Sequence, residues 1–153
     1  MVRRLWSRIR GDSLASDRVA LVVDGPNVLR EEFDVDLDDV RAAGRDLGRL
    51  AVARLYVDEH ATPGLIRAAE VHGFEVVVTS GDVDVRLSVE TTALIAEGAV
   101  DTLAVVSRDA DFKPLLEYAN RRGIETVAIA PGSFGRSDAL RKAAGRAITL
   151  DEP

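Results

Sequence analysis

Cysteine is missing from all 153 residues, which excludes disulfide bonds, thiolate metal sites and cysteine nucleophiles. Aromatic residues are scarce at 5%, whereas apolar residues reach 46%, so the core has to be built from Val, Ala, Leu and Ile. That composition suits a parallel sheet covered by helices, whose buried strands read as continuous aliphatic runs. No apolar stretch reaches the length of a membrane span, and the N-terminus lacks the hydrophobic region of a secretory signal. No membrane association is expected, and a cytoplasmic location is the default. Only two histidines are present, His60 and His72, which argues against a histidine-dependent hydrolase. His72, just before Gly73, reads as a helix-end residue that caps a carbonyl. The chain also lacks a glycine-rich dinucleotide fingerprint after its first strand and a phosphate loop with Gly-Lys-Ser/Thr. Ser107, Ser133 and Ser137 stand in no nucleophile motif.

Twenty basic residues face twenty-six acidic ones, for a net charge of −6. Lys113 and Lys142 are the only lysines. A chain of this balance binds a polyanion only through a local basic patch. Residues 1–17 form a basic leader in which Arg3, Arg4, Arg8 and Arg10 surround Leu5, Trp6 and Ile9. It reads either as a frayed terminus or as an arm for nucleic acid or a membrane surface. Residues 18–150 form a single domain and 151–153 a short tail.

Within the domain, strand and helix patterns alternate. Aliphatic runs predict strands at 19–23, 51–57, 74–78, 102–106, 125–130 and 147–150. Helical spacing predicts helices at 37–47, 62–71, 84–97, 111–122 and 137–144, several of them bounded by an acid or a Thr-Pro start and a glycine stop. Asp24-Gly25-Pro26-Asn27 reads as a turn. Strands separated by helices of this length require crossovers in a mostly parallel sheet with helices on both faces, a three-layer α/β/α arrangement. Ligands of such sheets bind beyond the carboxyl ends of the strands.

Acids gather at those ends. Asp24 follows the first strand, Asp82 and Asp84 the third, and Asp109 and Asp111 the fourth. The turns after parallel strands open on one edge, where four or more carboxylates repel one another unless cations lie between them. Hard oxygen ligands without Cys or His suit Mg²⁺ or Mn²⁺. Singly, each acid has an ordinary role: Asp24 in its own turn, the others at helix starts. Together they point to a site, because Asn or Ser caps a helix equally well.

Three motifs then carry a resemblance: Val22-Val23-Asp24-Gly25-Pro26-Asn27-Val28, Val83-Asp84-Val85-Arg86-Leu87, and Val106-Ser107-Arg108-Asp109-Ala110-Asp111-Phe112. In order and spacing they resemble the NYN branch of the PIN-like ribonuclease superfamily, over roughly residues 18–150. The resemblance implies a sheet of order 3-2-1-4-5 and a metal-dependent nuclease site. Asp24, Asp84, Asp109 and Asp111 match its metal-holding, catalytic acids. Asp24, Asp109 and Asp111 hold one Mg²⁺ or Mn²⁺ in this scheme, with Asp84 completing that site or supporting a second. Asn27 matches an Asn that orients a carboxylate or contacts substrate, and Ser107 a small hydroxyl residue before the acidic pair. Glu90 falls where many members carry Asp. Two positions depart from the pattern. Ser80, Gly81 and Asp82 replace a stretch that often holds Lys, and Arg108 stands where Gly is common. Arg86 and Arg108 are the substitutes for that Lys, with Lys113 close by.

The implied function is hydrolysis of single-stranded RNA, with Asn27, Arg86, Ser107, Arg108 and Lys113 contacting the substrate. Arg136, Arg141, Lys142 and Arg146 either extend that surface or form a solvated helix face. The alternative is a non-catalytic module that binds RNA or a regulatory protein partner. Pairing as a homodimer, common among PIN-like domains, is a further arrangement that the resemblance implies. A phosphatase or phosphotransferase with an aspartyl nucleophile fits less well, because position 26 is Pro rather than a second Asp.

Overall fold

In the computed structural model, which describes residues 17–29, 36–132 and 137–150, the aliphatic runs form six strands of one sheet. These are β1 (Arg18–Asp24), β2 (Arg49–Asp58), β3 (Glu75–Thr79), β4 (Thr102–Val106), β5 (Glu125–Ala130) and β6 (Arg146–Thr149). Every pairing is parallel, and the order is β3-β2-β1-β4-β5-β6. The expected order is therefore observed, with β6 added outside β5.

The helices are α1 (Gly25–Val28), α2 (Leu37–Arg45), α3 (Pro63–Val71), α4 (Val83–Ala96), α5 (Lys113–Arg121) and α6 (Asp138–Ala143). Side chains of Asp36, Thr62 and Ser137 accept from the amides of Asp38, Leu65 and Leu140, capping α2, α3 and α6. Gly73, Gly98 and Gly123 follow α3, α4 and α5 at φ of 90°, 71° and 79°, a left-handed stop that other residues take only under strain. Two local expectations change. The Gly-Pro-Asn segment is a one-turn helix rather than a plain turn, Pro26 supplying the φ of its first turn. His72 caps the end of α3 through its amide, which donates to Ala68 O, while its side chain turns away: Nδ1 lies 2.7 Å from Asp38 Oδ1 and ties α3 to α2.

Strand alternation sorts the core into two layers. Val19, Leu21 and Val23 of β1 pack with Leu37 and Val40 of α2, Ala69 of α3, and Ala104 and Val106 of β4. Ala20 and Val22 face the other way, with Tyr56, Leu103 and Val105, onto Val83, Leu87 and Ile95 of α4 and Leu115, Leu116 and Ala119 of α5. Continuing the alternation places Asp24, Asp58 and Ser107 on the α4/α5 side.

At the amino edge the strands are laced together. The Arg18 amide and its Nε both donate to Asp101 Oδ2, at 2.9 and 3.2 Å. The Arg49 amide donates to Asp17 O, and that of Glu125 to Asp101 O. At the carboxyl edge, the connections change faces between β1 and β4: α2 and α3 cover one side, α4 and α5 the other. That change is the switch point at which sheets of this kind hold ligands.

Candidate metal centre at the sheet switch point

Asp24 ends β1 and is 1% exposed. Its position precedes α1, yet its side chain does not cap that helix. Asn27 Nδ2, one turn on, donates to Asp24 Oδ2 at 2.7 Å, and Ser107 Oγ donates to the same oxygen at 2.8 Å. Ser107 is buried just beyond β4, and its hydroxyl also accepts from the Asp109 amide at 3.0 Å. Asp109 Oδ1 in turn accepts from the Asp111 amide at 2.9 Å, opening the 3-10 turn Ala110–Phe112. Pro114 at the start of α5 has no amide to donate, so the regular helix begins only after this turn.

Asp84 lies in the first turn of α4, which packs beside the 3-10 turn. Asp84, Asp109 and Asp111 each offer one carboxylate oxygen, and these oxygens lie within 4.8 Å of one another. In a Mg²⁺ shell with bonds of about 2.1 Å, opposite ligands stand about 4.2 Å apart, so the spread is of the size the ion requires. The donor set is all oxygen, anionic and hard, which fits Mg²⁺ or Mn²⁺.

Crowding leaves an electrostatic trace. The Asp111 carboxyl is raised above its usual range by the charge of Asp109, by desolvation, and by the charge of Asp84 and a hydrogen bond with it. Asp24 is raised as well, first by burial; the bonds from Asn27 and Ser107 work against the rise, and the charges of Asp109 and Asp84 add to it. A cation between these groups relieves the same repulsion that protonation does. Beside them a polar cavity of about 250 Å³ is lined by Asp24, Asn27, Asp58, Asp82, Asp84 and Asp109, among others.

The NYN domain model matches residues 18–151. The chain belongs to the NYN domain family. An uncharacterised protein of Methanocaldococcus jannaschii is 40% identical over 135 residues, which make up 88% of this chain and 56% of that protein. The chain thus spans little more than half the length of that relative. A protein of unknown function from Vibrio parahaemolyticus has a similar fold, with a TM-score of 0.74 and 20% identity over 89% of this chain and 94% of its own. Among the described residues, no helix is long and apolar enough to cross a membrane.

Within this NYN domain, the residues singled out by sequence fall into distinct places. Asp84, Asp109 and Asp111 converge, while Asp24 stands behind them and reaches Asp109 through Ser107. Asp82 lies on the cavity wall, outside the group of three. Arg86 Nε is turned to Glu90 Oε2 at 2.6 Å, and Glu90 Oε1 accepts from Tyr56 Oη at 2.8 Å. Burial opposes the charge on Glu90, but bonds from Arg86 and Tyr56 and the charges of Arg86 and Arg54 outweigh it and hold the carboxyl low. Burial, reinforced by the same contact with Glu90, pushes the Tyr56 hydroxyl up to about 12. Glu90 thus belongs to a network with Tyr56, Arg54 and Arg86. Arg108 is half-buried in the loop between Ser107 and Asp109. Lys113 Nζ, on an exposed side chain, lies 4.0 Å from Glu117 Oε2.

Arg141 and Lys142 occupy the last turn of α6, whose end is tied to the amino edge through Asn120 Nδ2 on Ala143 O and the Gly145 amide on Thr126 Oγ1. Arg146 opens β6 opposite Val127. Helix α6 also packs on the 3-10 turn Ala110–Phe112, and Arg141 Nη1 lies 3.6 Å from Asp138 Oδ1 in its first turn. Arg136 and the basic leader lie outside the described residues. Asp58 is the acid that sequence reasoning missed. It ends β2 on the same edge, and the signal was an aspartate directly after Tyr56-Val57, the same cue that marked Asp24.

Proposed function

We propose that the chain is a metal-dependent ribonuclease that hydrolyses phosphodiester bonds of single-stranded RNA. The observation that supports it is the convergence of Asp84, Asp109 and Asp111 at the switch point of an NYN domain. Those three would hold Mg²⁺ or Mn²⁺, with Asp24 behind them. When bound, such an ion lowers the pKa of water and neutralises charge that builds on a phosphate. The chain's own residues bind and position. Ser107 holds Asp109 and Asp24 in fixed relation, Asn27 orients Asp24, and Arg108 and Lys113 flank the acids as contacts for the RNA backbone. No side-chain nucleophile is required, in keeping with the sequence. The polar cavity admits a single backbone more readily than a duplex.

End-labelled single-stranded RNA incubated with Mn²⁺, Mg²⁺ or EDTA tests this reading. Cutting is expected with either ion and not with EDTA. Asp109→Asn should slow it by more than roughly a hundredfold, the upper range for losing even a supporting partner of a metal ligand. One observation favours the alternative of a binding module: Arg86, a candidate phosphate contact, is turned to Glu90. That alternative predicts RNA or protein binding that survives both EDTA and Asp109→Asn, with no cutting by the wild type.

A further inference from the structure

Helix α4 is apolar on more than one face. Val83, Leu87 and Ile95 enter the core, yet Val85 and Val89, one turn apart on another face, are 56% and 63% exposed. A solvated helix face ordinarily carries polar residues, and β-branched side chains are poor helix formers as well. With Leu115 and Tyr118 of α5, these valines line a groove of about 420 Å³ between the two helices. Asp84 and Asp111 line the same groove. Asp84 stands in the first turn of α4 and Asp111 in the 3-10 turn just before α5, so the acidic cluster lies at the groove's head.

We infer that this groove seats the nucleobase adjacent to the phosphate held at the acidic cluster, an inference that rests on the nucleic-acid reading of that site. Because the groove and the cluster share two carboxylates, one ligand fills both when it carries an anionic group at one end and an apolar body at the other. A nucleotide has that division. Its base is a flat, weakly polar ring that packs against aliphatic walls and stacks on a tyrosine. Ser88 and Thr92, on the same wall, supply hydroxyls that donate or accept according to which base edge they meet. Such a seat selects for a base without selecting strictly among bases. The volume also lies within the range of small-molecule clefts.

A second copy of the chain fits poorly. A two-fold contact sets the same patch against itself; two grooves face to face leave a void, and the pairing brings two acidic clusters together.

The test uses the full chain with Mg²⁺ and two probes, adenosine 5′-monophosphate and ribose 5-phosphate, followed by amide NMR shifts. The nucleotide should move Val85, Ser88, Val89 and Tyr118, and its Kd should weaken by roughly tenfold in Val89→Gln. Ribose 5-phosphate should leave those four amides in place and bind both proteins alike. Val85→Gln serves as the second variant, and a dispersed spectrum shows that each variant is folded. Nucleotide shifts confined to the acidic cluster, or equal affinity in wild type and both variants, would overturn the proposal. So would a wild-type dimer that Val89→Gln dissociates, seen by light scattering, with nucleotide affinity unchanged. The two readings fail separately. A nucleotide seated in the groove of a protein that never cuts RNA removes the nuclease and keeps the base seat, and RNA cutting without groove shifts does the reverse.

Discussion

The hydroxyl of Ser107 donates to buried Asp24 and accepts from the amide of Asp109, so a single small side chain couples the hidden acid to the open ones. Asp24 and Asp111 both have carboxyls raised in the folded chain. Between the unfolded and folded values the native state binds more protons, and stability falls as pH rises through that window. Glu90 is held low and acts oppositely: its support is present at neutral pH and is lost as pH falls through the lowered value. In EDTA, Asp111→Asn should unfold at a higher temperature than the wild type at about pH 7, and that gain should shrink as the pH falls into the carboxylate range and the raised Asp111 carboxyl takes up its proton. A gain that stays constant across this range would trace to packing instead. Asp24, Asp84, Asp109 and Asp111 were legible in the sequence, because acids at strand ends and helix starts need no knowledge of neighbours, although Asp58 carried the same cue as Asp24 and was passed over. The Arg86–Glu90 pair was also written there, as residues four apart on a helix. The bond of Ser107 to Asp24 was not, because it depends on the register of β4 against β1 and on which way each side chain turns. Nor was the place of Tyr56, set by how β2 meets α4.

Helix α1 is short enough that its position depends on one missing methyl group. A Cβ on Gly25 would meet Tyr56 O at 2.5 Å and Val57 Cγ1 at 2.9 Å, and the backbone oxygen cannot give way cheaply. Gly25→Ala should therefore lose about 1–3 kcal/mol in urea unfolding. It should also reduce RNA cutting, as Asn27 is carried off Asp24. Gly81→Ala, where a Cβ meets nothing within 4 Å, is the control, expected within about 0.5 kcal/mol of the wild type. Most elements could be read from periodicity, and the misreadings have local causes. A four-residue helix is too short to show a period. Strand β2 runs beyond its expected bounds because its two end residues, Arg49 and Asp58, are charged, so its aliphatic stretch is shorter than its hydrogen-bonded one. Helix α5 starts later than expected because Asp109 and Asp111 set up a 3-10 turn first.

Across the whole molecule, an ion bound at the acidic edge would act as a folding ligand. At a hundred times its Kd it should add about 2.7 kcal/mol to stability, or roughly 5–10 °C in the unfolding midpoint of a chain of this size. Asp109→Asn should abolish that increment, and thermal scans with Mg²⁺ or EDTA read both values. The two edges of the sheet differ in kind. At the amino edge, Arg18, Asp101, Asp17 and Glu125 knit the strand starts together; at the carboxyl edge, like charges push apart. A sheet fastened along one rim and self-repelling along the other does not open evenly. Local opening should therefore start at the acidic edge and fade towards the knitted rim, a gradient that amide hydrogen exchange in EDTA reads strand end by strand end.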